Sequence, residues 1–113
     1  MQYVKLAAVD DVKPGEKKKI SLNNKTILLI NVDGAFYALD NRCPHMGGLL
    51  SGGDLAGATL TCPRHGAKFD VRTGKSVGNA KLAFISVKVG DATTFPLKVE
   101  GTDILVEIAE QFS

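Results

Sequence analysis

The sequence predicts a small all-β domain, a sandwich or barrel, and three observations carry that expectation. Short runs with partial apolar–polar alternation recur along the 113 residues, glycine-bearing turns separate them, and helix signals are few. The strongest hairpin signal is Asp33-Gly34, which joins Thr26–Val32 to Ala35–Leu39.

In chain order, Tyr3–Ala7 is a short mixed strand, and Val9–Val12 makes at most one helical turn before Pro14-Gly15. Lys19–Leu22 pairs with Thr26–Val32 through a turn at Asn23-Asn24, because asparagine tolerates the left-handed conformation such turns need. Phe95–Glu100 reads as a strand with Pro96 near its start, where a strand tolerates proline. Gly101-Thr102-Asp103 then turns the chain into Ile104–Ile108, whose Ile104, Val106 and Ile108 share one face. Ala80–Val89 reads as a loop leading into a strand. Asn41–Gly57, Pro63–Gly66 and Thr73–Asn79 break the strand pattern, and loops on a rigid β scaffold are where sites usually sit.

The length fits one domain over residues 1–113, with a core that needs no disulfide. A formal net charge of +2 is too weak to point to nucleic acid. The basic run Lys17-Lys18-Lys19 reads as an edge strand protected from pairing, with a docking patch for an acidic partner as the alternative. No leader pattern opens the chain, and its longest strongly apolar stretch, Ile27–Ile30, is far shorter than a membrane span. A soluble, cytoplasmic monomer without membrane or nucleic-acid partners is therefore expected. Two cysteines in such a setting point to metal or redox chemistry before a disulfide.

Both cysteines and both histidines fall in two short pieces, Cys43-Pro44-His45 and Cys62-Pro63-Arg64-His65, with residues 46–61 between them. Each pair offers one soft thiolate and one borderline imidazole. Two loops arriving side by side suit a two-iron cluster whose irons have unlike ligands. The same ligand set also permits a structural Cys2His2 zinc site.

Cys43-Pro44-His45-Met46-Gly47-Gly48 and Cys62-Pro63-Arg64-His65-Gly66 resemble the two cluster-binding boxes of the Rieske [2Fe–2S] family. Asp33–Leu39 before the first box, Phe69–Gly74 after the second and Val99-Glu100-Gly101 extend the likeness over most of the chain. The resemblance implies a Rieske-type β fold, with cluster-binding loops at about residues 41–79. It implies one 2Fe–2S cluster, with Cys43 and Cys62 on the inner iron and His45 and His65 on the outer one. Replacing two thiolates by neutral imidazoles raises the potential relative to all-cysteine clusters. Gly47, Gly48 and Gly66 would let backbone approach the sulfides, Pro44 and Pro63 would stiffen the loops, and Met46 and Leu49 would either shield the cluster or pack in the core.

Several positions depart from the high-potential members of that family. Those carry an extra cysteine in each box, where this chain has Gly48 and Arg64, so no disulfide links the loops. They also place serine and tyrosine hydroxyls on cluster sulfurs, where this chain has Ala67 and Phe69. Without those donors the potential is expected near the low end of the Rieske range, roughly −150 mV. The third loop, Ser76–Lys81, lacks the prolines usual in the family, and Ala83–Thr93 is longer than in short relatives.

These features imply an electron carrier rather than an enzyme: a ferredoxin passing single electrons from a reductase to a terminal oxygenase. The alternative is a small Rieske subunit of an oxidoreductase such as a nitrite reductase.

Overall fold

The apolar run Ile27–Ile30 is fully buried, and its neighbours differ on the two faces of one strand. Leu28 and Ile30 pack into one core with Leu39, Leu50, Leu60, Phe69 and Val71. Ile27 and Leu29 pack into a second with Leu6, Val12, Ala38, Ile104 and Val106. Side chains alternate across a strand, so an unbroken apolar run marks a strand covered on both sides.

The computed structural model describes residues 2–22, 25–42, 49–63, 66–78, 80–82, 85–87 and 90–108. The expected Asn23-Asn24 turn lies outside them. The chain forms β1 (Gln2–Ala8), a 3-10 turn at Val9–Asp11, β2 (Lys17–Leu22), β3 (Lys25–Val32) and β4 (Ala35–Asp40). A second 3-10 turn at Leu50–Gly52 precedes β5 (Asp54–Ala56), β6 (Thr59–Thr61), β7 (Lys68–Asp70) and β8 (Ser76–Gly78). The remaining strands are β9 (Ala80–Leu82), β10 (Ile85–Val87), β11 (Thr94–Phe95), β12 (Leu97–Glu100) and β13 (Asp103–Ile108). All pairings among the described residues are antiparallel, and no α-helix occurs among them.

The central sheet has the order β11-β4-β3-β2. One core lies between it and the terminal sheet, β1-β13-β12; the other lies between it and the small sheet β5-β6-β7-β8. β9 and β10 pair antiparallel in a separate two-stranded sheet, so two strands stand within Ala80–Val89 where a loop leading into one strand is expected.

β2 is the edge of the central sheet, as the lysine run predicts, and it begins at Lys17 rather than Lys19. The expected hairpin at Asp33-Gly34 forms with both residues left-handed (φ 52° and 94°), the pattern of a type I′ turn. Asn31, which is buried, locks that turn. Its Oδ1 accepts the Gly34 N–H at 2.7 Å, and its amide donates to the Val12 carbonyl at 2.8 Å. Replacing Asn31 with alanine strands that carbonyl, and the expected loss is about 1–3 kcal/mol of unfolding free energy. A urea melt reads it directly; an unchanged midpoint would show that the turn holds without the side chain.

Two expectations change. Asn41–Gly57 is not wholly irregular, because Leu50–Gly52 turns and Asp54–Ala56 pairs with β6. The strand expected over Phe95–Glu100 breaks at Pro96, which separates β11 on the central sheet from β12 on the terminal sheet. Proline has no N–H to donate, so the chain changes sheets there.

Candidate metal centre

Backbone hydrogen bonds join the two ends of the second box. The Cys62 N–H donates to the Ala67 carbonyl at 2.7 Å, and the Gly66 N–H donates back to the Cys62 carbonyl at 3.2 Å. Gly66 is left-handed (φ 76°), and among the described residues an added Cβ would meet nothing within 4 Å beyond its chain neighbours. Glycine is needed there for its backbone angle. Cys62 is a free thiol, 2% exposed, set among Leu50, Leu60, Ala67 and Phe69.

The first box hangs from a clamp. Arg42 and Leu49 form an isolated antiparallel bridge, so the chain leaves and returns side by side. Asn41, buried beneath, donates its N–H to Thr26, accepts the Leu50 N–H on its carbonyl (2.7 Å), and accepts the Ser51 N–H on Oδ1 (2.7 Å). One asparagine thereby ties the loop's return to β3.

The two loop bases touch. A Cβ added to Gly53 would overlap the Thr61 carbonyl oxygen, and one on Gly52 would lie 3.6 Å from Pro63 Cγ. The thiol of the second box therefore sits beside the return limb of the first. Cys43, His45 and His65, with Pro44, Met46, Gly47, Gly48 and Arg64, lie outside the described residues. Leu49 is 54% exposed, so the core-packing reading fails for it; its neighbour Leu50 fills that role.

The third loop is held by a strap from the C-terminal half. The Ala92 N–H donates to the Gly74 carbonyl (2.7 Å), and Asp91 Oδ1 accepts the Ser76 N–H (2.9 Å). The strap then joins the central sheet, where Thr93 accepts the Asp40 N–H and Thr94 pairs with Leu39. At the turn after β7, Asp70 takes two guanidinium hydrogen bonds from Arg72 and also the Arg72 N–H. The side-chain bonds come first, then the backbone bond, in holding its carboxyl below the ordinary range. A depressed folded value means this contribution is present above the unfolded carboxylate's pKa. It is lost as pH falls through the folded value.

The donor chemistry fits an iron–sulfur cluster. A desolvated, unpaired thiol at the meeting point of two loops is a soft ligand in a water-poor setting. The model for the Rieske [2Fe–2S] domain matches residues 2–89. This chain belongs to the Rieske family. The Rieske chain is 33% identical to the ferredoxin component of the naphthalene 1,2-dioxygenase/salicylate 5-hydroxylase systems of Ralstonia sp., over 94% of this chain and 95% of that one. It is 36% identical to the biphenyl dioxygenase ferredoxin subunit of Pseudomonas sp. (strain KKS102), over 96% and 94%. Among solved structures, it superposes on a chain of the complex of reduced oxygenase and oxidized ferredoxin in carbazole 1,9a-dioxygenase. That match has TM-score 0.78 and 25% identity, over 98% of this chain and 97% of that one. Membership fixes the cofactor, a Rieske [2Fe–2S] cluster, and the work, one-electron transfer. The zinc alternative gives way to it.

Ala67 and Phe69 are fully buried in the core that holds Cys62, and neither side chain carries a hydroxyl. Ala67→Ser with Phe69→Tyr is expected to raise the midpoint potential. If each restored hydrogen bond strengthens by about 1 kcal/mol on reduction, the rise is about 40 mV per bond, since 59 mV is tenfold for one electron. Redox titration followed by EPR checks it, and an unmoved or lower midpoint in fully loaded protein would refute the account.

Sequence reasoning found the boxes but missed Asn41, Gly53 and Asp91. Asn41 carries the one usable signal, an asparagine two residues before the first box.

Proposed function

We propose that this protein is the ferredoxin of a multicomponent aromatic-ring dioxygenase, taking one electron at a time from a reductase and giving it to the terminal oxygenase. The observation that carries the reading is the buried Cys62 thiol where the two loop bases meet, in a chain of this family. Cys43 and Cys62 would hold one iron and His45 and His65 the other, within one domain spanning residues 1–113 with loops at about 41–79. The cluster, when bound, supplies a site that gains and loses one electron with no bond to substrate.

The chain's own residues do the rest. Asn41 and the Arg42–Leu49 bridge fix the first box, Gly66 shapes the second, and Asp91 and Ala92 hold the third loop. Leu50, Leu60 and Phe69 exclude water from the Cys62 side. The likeness to naphthalene and biphenyl dioxygenase ferredoxins supports oxygenases of aromatic hydrocarbons as the acceptor class. No helix among the described residues is long and apolar enough to cross a membrane. A cytoplasmic site of action, where thiols stay reduced before loading, accords with the two cysteines.

The test is reconstitution. Holoprotein is mixed with the ring-hydroxylating oxygenase and the reductase of its own organism, and NADH-driven product formation is followed. Product that depends on added holoprotein supports the reading. Stoichiometric co-purification with a sirohaem reductase, and no transfer to any oxygenase, would replace it with the subunit role.

A further inference from the structure

Beside the first box lies a groove lined by Lys19, Ser21, Thr26, Asn41, Arg42 and Leu49. Its position follows from the register of the central sheet. Lys19 lies opposite Leu28 and Ser21 opposite Thr26, so these side chains share the face that carries the small site sheet. Lys18 and Ile20 alternate to the other face, where Ile20 joins the second core. Arg42 and Leu49 form the far wall, and they are the last and first described residues on either side of the first box.

Among the described residues the lining carries two exposed cations and no carboxylate. Among the described residues neither Lys19 nor Arg42 enters an ion pair, whereas Lys5, Arg72 and Lys98 each do. The nearest carboxylate in sequence, Asp40, accepts the Arg42 backbone N–H on Oδ1 (3.0 Å) and is not among the groove's lining residues. Leu49 adds an exposed apolar side chain between the cations and the box. Positive charge that makes no ion pair among the described residues, set around a large exposed apolar residue, is the composition of a recognition surface, and charge of one sign selects a partner of the other.

We infer that this groove docks an acidic segment of the terminal oxygenase, with carboxylates meeting Lys19 and Arg42 and an apolar side chain against Leu49. The inference rests on the proposed ferredoxin role. The oxygenase is chosen over other occupants because the groove adjoins the loop expected to carry His45, through which the electron would leave. One electron passes from the reduced protein to the oxygenase's acceptor centre; no bond forms or breaks, and docking sets only the distance and lifetime of the encounter.

The experiment uses holoprotein reduced with dithionite and mixed in a stopped-flow cell with the oxygenase that accepts its electrons, with no reductase present. Lys19→Glu and Arg42→Glu are each expected to slow the second-order transfer about three- to tenfold at low salt, because charges at an interface act mainly on the association rate. The difference should shrink as salt rises and the Debye length falls to about 8 Å or less. Lys18→Glu makes the same charge change one residue away on the other face, and its rate should stay within about twofold of wild type. Leu49→Ser should slow transfer with little change in salt dependence. Absorbance and EPR of every variant should match wild type, which separates docking from cluster damage.

Wild-type rates for Lys19→Glu and Arg42→Glu would overturn the inference. So would equal slowing by Lys18→Glu, which would reduce the effect to net charge. If these variants impair reduction by the reductase and leave oxygenase transfer intact, the groove belongs to the reductase and the assignment fails. A sedimentation profile showing a wild-type dimer that the variants abolish would assign the groove to a second copy instead. Failure of wild type to reduce any oxygenase would strike the ferredoxin role itself, a result distinct from all of these.

Discussion

Cys62→Ser is expected to yield a colourless protein with neither the visible absorption nor the reduced-state EPR signal of the cluster. A serine hydroxyl is a hard, weakly acidic donor where soft thiolate is required. Among the described residues nothing replaces it, since Cys62 is buried among Leu50, Leu60 and Phe69. The new hydroxyl would itself be desolvated, at a cost of about 1–3 kcal/mol if it finds no partner. Loss of the cluster in that variant could therefore follow from loss of the fold. Cys62→Ala separates the two, because alanine suits the same apolar surroundings. Far-UV circular dichroism typical of β structure, with no iron or acid-labile sulfide, is the expected outcome for it. Iron and sulfide bound at wild-type stoichiometry in either variant would sink the ligand assignment of Cys62.

The second large effect is expected at a residue with no chemistry. Gly53→Ala should cost about 1–3 kcal/mol, toward the upper end of overpacking, because the obstacle is backbone and not a movable side chain. The added Cβ overlaps the Thr61 carbonyl oxygen, and Thr61 immediately precedes Cys62. Relief of that overlap must separate the two loop bases, so the variant should also release iron faster to a chelator. Gly52→Ala is the matched control, since its Cβ would make only an ordinary contact with Pro63. Equal chelation rates for Gly53→Ala and wild type would show that the close approach does not hold the boxes together.

Much of this architecture is written locally. The Asp33-Gly34 hairpin could be read because two left-handed positions in a row leave few other turn types. The central strand could be read from Ile27–Ile30, and the candidate ligands from residue type alone, because few other side chains bind iron as these do. The small site sheet could not. β5, β6, β7 and β8 have three residues each, too short for a periodicity to show, and Asp54 and Ala56 are poor strand formers that pair only because β6 lies beside them. The loop anchors were hidden for a related reason. Asn41 and Asp91 act on backbone groups ten and fifteen positions away, and nothing next to either residue in the sequence announces those partners. Leu49 and Leu50 show the same limit, since adjacent leucines divide into one exposed and one fully buried.

The order of the strands along the chain bears on how the protein is made. β13 completes the terminal sheet by pairing with β1 at the opposite end of the sequence, and it buries Ile104 and Val106 against Ile27 and Leu29. Both boxes and the third loop precede it, as does the strap that holds that loop. During synthesis the cysteines therefore leave the ribosome before the layer beneath them is complete. Pairing between distant strands is slow to form. Both cysteines are thus synthesised ahead of the strand that closes the terminal sheet, and they precede the last long-range pairing of the fold in chain order.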